Sequence, residues 1–236
     1  MDVWQETQLQ STLSAESEDE IYASLIRAAK TLGFECAAYG LRVPLPVSSP
    51  RVSMVNNYPA AWQRQYEEKN YLACDPTVAH ALTSCNALLW SESLFSTCRP
   101  FWEEARKFGL QVGWAQPCHG SQGVVGLLTL SRSHDDLGRK EVTENSGKLF
   151  WLAQLVHQKM ADLLVPKLMP ETGIVLSARE KEVLRWTADG KTSYEVSEIM
   201  KISERTVNFH VNNAVEKLGT SNKTAASVKA ALLNLI

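Results

Sequence analysis

Aromatic residues with polar tips are regularly spaced between positions 58 and 66. Tyr58, Trp62 and Tyr66 recur every four residues, so a helix would place them on one face. Each ring offers an apolar body and one hydrogen-bonding group. Asp75 follows nine residues later, and Thr129 puts a hydroxyl on an otherwise apolar strand. Together these residues could line a pocket for a small molecule.

Each of these residues also has a purely structural explanation. The aromatic face could be plain hydrophobic core, and Trp90, at the end of a short strand, is most simply a core residue. Asp75 before Pro76 is the pattern of a helix N-cap followed by proline. The Thr129 hydroxyl could bond a neighbouring backbone carbonyl. Taken singly, the residues leave the ligand site and the plain core both open.

Catalytic and metal chemistry have less support. The five cysteines are odd in number and lack C-x-x-C spacing, so we expect reduced thiols rather than a disulfide framework or a zinc site. No nucleophile, base and orienting group stand at a recognisable spacing, and Cys118-His119 is interpreted as a structural or pocket-lining pair. We expect no catalytic residue, no metal and no cofactor.

The C-terminal segment predicts a helix that cannot bury all of itself. Over residues 203–219 an apolar stripe at helical period contains Val207, Val211, Ala214 and Leu218. The opposite face carries Arg205, Asn208, Asn212 and Asn213. Asparagine is a poor helix former, but its amide can pair with the edge of adenine. A short helix over 192–200 precedes it, separated by a tight turn, so the pair predicts a helix-turn-helix.

Capping signals divide this segment into four helices. Ser177 and Thr192 each stand three residues before a glutamate, as in a capping box, and Ser203 is a third cap. A fourth helix is expected from Ser221 or Asn222 to 235, with Val228, Leu232 and Leu235 packed inward. Such a module could also bind protein. Its nine basic and eight acidic residues from 171 onward are not polybasic, so a few placed groups and dimerisation would have to support DNA binding.

The remaining chain shows an alternating α/β pattern. We expect an α+β protein: an N-terminal α/β/α sandwich with a central antiparallel sheet, and a C-terminal all-α helix-turn-helix domain. The N-terminus has neither a basic start nor an apolar run, which argues against a secretory signal. The longest helix should run over 138–165 and stop at Pro166. Its wide stripe could serve both a core and a partner subunit; it contains Leu149, Leu152, Val156, Met160 and Leu163.

Two strings carry a resemblance to a known family. SAREKEVLRWTADGKTS, followed by ISERTVNFHV, closely resembles the DNA-binding domain of LuxR-type regulators. Tyr58, Trp62, Asp75 and Trp90, with Gly113 downstream, are similar to the autoinducer-binding domain of LuxR-type quorum-sensing receptors, and NNYPAAW, CDPTV and VGWAQP resemble the receptors for N-acyl-homoserine lactones. The resemblance covers nearly the whole chain. It implies a ligand-binding and dimerisation domain over 1–165, a linker over 166–174 and a DNA-binding domain over 175–236.

The resemblance implies a role for each candidate ligand residue. Trp62 would donate to the lactone carbonyl, Asp75 would accept the amide N–H, and Tyr58 would donate to the amide carbonyl with Thr129 as a second hydroxyl. Aromatic and aliphatic residues would pack on the ring and tail. The full expected set is Tyr58, Trp62, Tyr66, Asp75, Thr77, Trp90, Phe101, Ala105, Leu110 and Thr129.

The resemblance also implies that the lactone completes the N-terminal core. The folded chain would then dimerise and bind a near-palindromic site on double-stranded DNA. It allows contact with RNA polymerase, and it implies a cytoplasmic protein without a membrane partner. Asn208 and Asn212 would face bases with Arg205 and Phe209 nearby, and helix starts would bind phosphates. The expected DNA residues are Thr192, Ser193, Arg205, Thr206, Asn208, Phe209, Asn212, Lys217, Asn222 and Lys223.

Three other classes of protein remain as alternatives. A regulator of the same fold could be independent of lactone or respond to an antagonist. A phosphorylation-driven response regulator would need a parallel five-stranded receiver with an early acidic cluster, but the acidic run over 16–20 opens a helix. An enzyme using Asp75, His80 or Cys118 would need a complete catalytic constellation, which the spacing does not offer.

Overall fold

The computed structural model describes residues 3–236, and of residues 139, 171 and 172 the backbone alone. Met1 and Asp2, the start of the predicted first domain, lie outside the described residues. The helices are α1 Val3–Leu13, α2 Glu18–Thr31, α3 Ala60–Glu68, α4 Pro76–Ala81, α5 Arg99–Lys107, α6 Arg139–Leu168, α7 Ala178–Ala188, α8 Ser193–Met200, α9 Glu204–Lys217 and α10 Lys223–Leu232. The strands are β1 Cys36–Arg42, β2 Val52–Asn56, β3 Leu88–Leu89, β4 Val112–His119 and β5 Val125–Arg132.

Chain contacts divide the molecule into two compact units. The first contains the residues up to Arg42, Val52–Gly120 and Val124–Val165, and the second contains Val43–Arg51, Ser121–Gly123 and Pro166–Ile236. Two loops of the sheet region therefore group with the C-terminal unit, which the sequence did not indicate. Within the described chain, no helix is both long and apolar enough to cross a lipid bilayer.

The first unit is built on a five-stranded sheet in the order β2-β1-β5-β4-β3. Every neighbouring pair is antiparallel. The predicted antiparallel sheet between helices is confirmed. The same topology rules out the parallel receiver of a response regulator, because that fold requires parallel strands joined by crossover helices.

Alternation along the strands gives the sheet two different faces. Tyr39, Leu128 and Leu130 lie on one face, are at most 1 % exposed, and form core. On that face the Tyr39 hydroxyl is 2.9 Å from Nδ1 of His157 on α6. Residues at the intervening positions, including Thr129 and Ser131, lie on the other face, against which α4 packs. Thr129, the predicted ligand residue on the sheet, therefore lies on the face that α4 covers.

Two helices differ from the sequence prediction. Helix α1 was not predicted, because the residues it buries, Gln8 and Thr12, are polar and give no apolar stripe; the Thr12 hydroxyl instead lies 3.2 Å from that of Ser24 on α2. Helix α6 does not stop before Pro166 but continues to Leu168. A proline in a final turn removes one backbone donor without preventing the turn. The first three residues of the predicted linker are thus helical.

The predicted stripe on α6 is largely used within the single chain. Leu149, Leu152, Val156 and Met160 are at most 2 % exposed, and Leu163 is half-buried. Phe150 is 52 % exposed and is the large apolar side chain of α6 that the core leaves uncovered among the described residues. The second function of the stripe, a subunit contact, stays a prediction.

The C-terminal unit contains the four predicted helices. Ser177 and Thr192 form complete capping boxes at the starts of α7 and α8, and Ser203 caps α9. Asn222 caps α10. The predicted inward position of Val228 is wrong, since it is 46 % exposed, and Ala226, Ala230 and Leu233 are buried instead. The apolar stripe of α9 is buried, as predicted.

The expectation of five reduced thiols is wrong for one pair. Cys74 and Cys98 are joined as a disulfide, with their Cα atoms 6.2 Å apart. Sequence spacing could not find this pair, because Cys74 lies just before α4 and Cys98 just before α5. The remaining cysteines are free: Cys36, Cys85 and Cys118.

Candidate functional site

Asp75 is a buried carboxylate held in place by its neighbours. As N-cap of α4, its Oδ1 accepts hydrogen bonds from the Thr77 backbone N–H at 2.8 Å and from the Thr77 hydroxyl at 2.7 Å. Its Oδ2 accepts one from the Tyr66 hydroxyl at 3.1 Å. Burial raises the pKa of Asp75, and these hydrogen bonds lower it in part. The capping explanation and the ligand explanation are therefore compatible, because Oδ2 keeps a lone pair for a further donor.

The aromatic residues from α3 belong to a cluster with α5. Trp62 is 2 % exposed, and its ring lies 5.5 Å from Phe101 and 6.0 Å from Tyr66. Tyr71, between α3 and α4, stacks on Trp62 at 5.8 Å. The cluster also contains Ala105 and Leu110, with Tyr58 and Trp90 packed against it.

Trp90 lies directly over the backbone of Gly113. A Cβ atom added at residue 113 would lie 2.3 Å from Cδ2 of the Trp90 ring, well inside contact distance. Gly113 therefore allows the indole to lie flat on β4. The Trp90 Nε1 atom is buried and has no hydrogen-bond partner among the described residues. An unpaired buried donor costs about 1–3 kcal/mol, so a ligand acceptor here would relieve that cost.

Ser131 is a further candidate residue for this site, and the sequence analysis did not single it out. It lies two positions after Thr129, on the same face of β5, and is fully buried. Its hydroxyl oxygen has no hydrogen-bond partner within the described chain. Burial raises the pKa of the neighbouring Tyr58. The period of two from Thr129 was the signal that could have found Ser131.

Glu104 joins the elements around the aromatic cluster. Gln65 and Lys69, from α3 and its end, and Tyr71 all donate hydrogen bonds to the Glu104 carboxylate on α5. The bonds from Lys69 and Tyr71 hold the pKa of Glu104 at about 2. The carboxylate is therefore ionised at neutral pH and connects the two walls of the cluster.

Two other residues considered for catalysis, Cys118 and His80, are engaged within the fold. Cys118 is buried on β4, and burial raises the pKa of its thiol to about 12, so it stays protonated. At the surface, Nε2 of His80 donates a hydrogen bond to the Asn86 carbonyl at 2.7 Å. Among the side chains that the structure describes, no group of three or more His, Cys, Asp or Glu is arranged to hold a metal ion.

The candidate DNA-reading residues lie on the exposed face of α9. Arg205, Asn208 and Asn212 are exposed, and Phe209 is 59 % exposed. Helix α8 precedes α9 across a turn in which Lys201 adopts the left-handed conformation with φ 53°. The Ser193 hydroxyl, at the first position of α8, donates to Oδ1 of Asn208 at 2.8 Å.

The other predicted DNA residues lie at helix starts, with one exception. Thr192, Thr206, Asn222 and Lys223 are in or just before the first turns of α8, α9 and α10. Lys217 lies at the end of α9 and donates to the buried Glu180 of α7 at 2.8 Å. This ion pair favours a structural role for Lys217 over the predicted DNA contact.

Two protein-family models match successive parts of the chain. The family model of the autoinducer binding domain matches residues 17–160, more than half of the chain. The model described as bacterial regulatory proteins, luxR family, matches residues 174–230.

Full-length relatives share both parts. The chain is 43 % identical to the transcriptional activator protein AnoR of Acinetobacter nosocomialis over 100 % of both chains. It is 39 % identical to the HTH-type quorum-sensing regulator RhlR of Pseudomonas aeruginosa, over 92 % of this chain and 89 % of that one. A crystal structure of Escherichia coli SdiA superposes with a TM-score of 0.83 at 35 % identity, over 99 % of this chain and 98 % of that chain. A structure of SdiA in complex with octanoyl-rac-glycerol matches with a TM-score of 0.79 at 33 % identity, over 98 % and 94 %. The chain therefore belongs to the LuxR family of quorum-sensing transcriptional regulators, with a small-molecule-binding domain followed by a DNA-binding helix-turn-helix, and is not an enzyme.

Proposed function

We propose that the chain binds an N-acyl-homoserine lactone and, as a homodimer, binds a near-palindromic DNA site. The proposed ligand rests mainly on Asp75. This buried carboxylate keeps an unused lone pair on Oδ2, beside an aromatic cluster. A ligand amide N–H would complete its hydrogen bonding, and a charge-assisted bond of this kind is stronger than a neutral one.

The remaining polar groups of the ligand would meet the other candidate donors. Trp62 would donate to the lactone carbonyl. Tyr58 and Ser131 would donate to the amide carbonyl, with Thr129 lying farther along the same strand face. Thr77 and Tyr66 would hold Asp75 in place. The acyl tail would pack on the apolar walls, which contain Trp90, Phe101, Ala105 and Leu110.

A second ligand class is supported by one specific comparison. The related SdiA is described in complex with octanoyl-rac-glycerol, an ester with an acyl tail and hydroxyl groups. Such a ligand offers hydroxyl donors to Asp75 but no amide N–H. A regulator that responds to acylglycerols, or that binds DNA without lactone, is therefore the alternative.

Thermal melting of the full chain with matched C8 ligands separates these ligand classes. N-octanoyl-homoserine lactone at a hundredfold excess over its Kd should stabilise the chain by about 2.7 kcal/mol, and monooctanoylglycerol should stabilise it less. A series of lactones with C4 to C12 tails then gives the depth of the pocket. No shift with any lactone, together with unchanged DNA binding, would contradict the proposal.

DNA recognition is proposed to use one α9 helix from each subunit. Arg205, Asn208, Phe209 and Asn212 would face the major groove, and Thr192, Thr206, Asn222 and Lys223 would contact phosphates. Two such helices reach successive major grooves when the half-site centres are about 10 bp apart. The outer face of α6 around Phe150 would contribute to the contact between subunits. The protein would act in the cytoplasm, where bacterial DNA and RNA polymerase lie.

Binding to DNA sites with altered half-site spacing tests whether the chain binds as a dimer. Moving the half-sites apart by five base pairs rotates one half-site to the opposite side of the duplex, so affinity should fall to that of a single half-site. Sedimentation of the ligand-bound chain should give twice the monomer mass. Equal affinity for one and two half-sites would contradict a dimeric reader.

A further inference from the structure

Two cysteines beside the aromatic cluster are close enough to form a disulfide. Cys74 directly precedes Asp75, and Cys98 directly precedes α5. The structure joins them, and their Cα separation of 6.2 Å lies within the range of natural disulfides. Neither ligand binding nor DNA binding, as proposed above, uses this pair.

The two thiols of this pair differ in accessibility. Cys74 is exposed, whereas Cys98 is half-buried and packs against the aromatic cluster. An incoming reagent would therefore meet Cys74 first, and Cys98 would be placed behind it as the second thiol. Cys85 is also exposed but is free, which makes it a matched control.

We propose that Cys74 and Cys98 form a reversible redox site for low-molecular-weight disulfides, of which glutathione disulfide is the probe. The Cys74 thiolate attacks one sulfur of the small disulfide, forms a mixed disulfide and releases one small thiolate. The Cys98 thiolate then attacks the Cys74 sulfur and releases the second. The two protein thiols lose two electrons and two protons, and both are recovered in the two small thiols that are formed.

The position of the bond gives it a consequence for the ligand pocket. The cysteines are 24 residues apart in sequence, and their bond ties the start of α4, with Asp75, to the start of α5, with Phe101. A cross-link restricts the open and unfolded states more than the folded one. The oxidised pocket therefore needs less ordering when a ligand binds, so oxidation raises both the melting temperature and the ligand affinity.

The compartment in which a DNA-binding protein works is expected to make the Cys74–Cys98 bond reversible. Disulfides are rare in compartments where cellular reductants keep thiols reduced, and those that form there are mostly transient or redox-sensing. A bond exposed on the Cys74 side is open to reduction by the same small thiols. The site therefore reports the balance between oxidised and reduced thiols.

The test uses the full-length, ligand-free chain in a series of glutathione redox buffers. After acid quenching and alkylation, peptide mapping should show a 74–98 cross-link whose fraction rises with glutathione disulfide and disappears with dithiothreitol. The oxidised chain should melt roughly 5–10 °C above the reduced chain. Cys98→Ser should accumulate glutathione on Cys74, whereas Cys85→Ser should behave like the parent. The proposal is overturned if glutathione adds to Cys85 while no 74–98 cross-link forms, or if the cross-link leaves the melting temperature unchanged.

A separate arm measures N-octanoyl-homoserine lactone binding to both redox forms. We expect the Kd of the oxidised form to be about threefold lower or better, and the Cys74→Ser/Cys98→Ser variant to match the reduced chain. Equal Kd values in the two forms would overturn the pocket-stiffening part. If neither form binds any lactone, the proposed ligand is wrong, and the cross-link and melting results still decide the redox site.

Discussion

Ser193 of α8 donates its hydroxyl to the side-chain oxygen of Asn208 on α9, at 2.8 Å. The bond joins the two helices of the helix-turn-helix across 15 residues of sequence. It also fixes which end of the Asn208 amide faces outward, since the oxygen is engaged and the described residues offer the N–H groups no acceptor. The predicted phosphate contact of Ser193 is therefore replaced by a positioning role in our proposal.

Ser193→Ala should relax base preference at the position that Asn208 reads. The loss of one hydrogen bond predicts about 0.5–1.5 kcal/mol of lost discrimination, against about 1–3 kcal/mol for Asn208→Ala. The double variant should lose no more than Asn208→Ala alone, because both changes remove one function. Fluorescence anisotropy on the cognate site and on single-base variants measures this.

Lys223→Ala is the control for the Ser193 prediction. Lys223 is exposed at the first position of α10, so its loss should weaken binding to all sequences alike and reduce the salt dependence. If Ser193→Ala instead lowers affinity equally on cognate and scrambled DNA, Ser193 contacts phosphate and the positioning role is wrong.

Asp75→Asn should separate ligand binding from stability. The amide presents a donor where the ligand N–H needs an acceptor, so lactone affinity should fall about 30- to 100-fold. Burial raises the pKa of Asp75 in the folded chain, so its contribution to folding is most favourable below the unfolded pKa of about 3.9 and is lost as pH rises through the folded pKa. The ligand-free variant should therefore be at least as stable as the parent at pH 7. Calorimetric titration and melting measure the two effects; parallel losses in both would mean that Asp75 acts only as a cap.

Ser131→Ala distinguishes the two hydroxyls on β5. Because the Ser131 oxygen has no partner in the described structure, its removal should leave the ligand-free melting temperature unchanged or raise it. Lactone affinity should fall about two- to tenfold if the hydroxyl bonds the ligand. Thr129→Val is the matched comparison on the same strand face. A larger affinity loss in Thr129→Val than in Ser131→Ala would restore Thr129 as the main donor.

Gly113→Ala should displace Trp90 from the sheet. The new methyl group would overlap the indole ring, and the forced movement should destabilise the first unit by about 1–3 kcal/mol and weaken lactone binding. Gly147→Ala on α6 is the control, because nothing lies within 4 Å of its new Cβ and helix propensity favours alanine by about 1 kcal/mol. Urea denaturation of both variants compares these effects. A Gly113→Ala chain with parental stability would show that Trp90 moves without cost.

Lys217→Met tests the ion pair with Glu180. Burial raises the pKa of Glu180, but hydrogen bonds from Lys217 and Ser177 outweigh it and the net shift is downward. The pair therefore stabilises the fold above the unfolded pKa of Glu180, and its contribution is lost as pH falls through the lower folded pKa. Because Lys217 is partly exposed, we expect about 1–2 kcal/mol of destabilisation at pH 7 and progressively less as the pH falls through the folded pKa of Glu180. An unchanged stability with a reduced salt dependence of DNA binding would favour the phosphate contact instead.

Periodic patterns predicted most of the fold and singled out most of the candidate site residues. Helical repeats in the sequence predicted the apolar stripe of α9 and the aromatic face of α3. The capping-box motif predicted the starts of α7 and α8. Helix α1 could not be predicted, because the residues it buries, Gln8 and Thr12, are polar and form no apolar face; the Thr12 hydroxyl instead contacts that of Ser24. Ser131, the Lys217–Glu180 pair and the Cys74–Cys98 pair depend on which elements meet, and that information is not local.

Each helix of the C-terminal unit begins at a side chain that satisfies its own backbone: Ser177, Thr192, Ser203 and Asn222. The residues that determine where these helices start therefore all lie within the C-terminal segment itself. Such a segment can be grafted behind a different sensor without rewriting its helix boundaries. A lineage of regulators can in this way exchange what it detects while keeping what it reads.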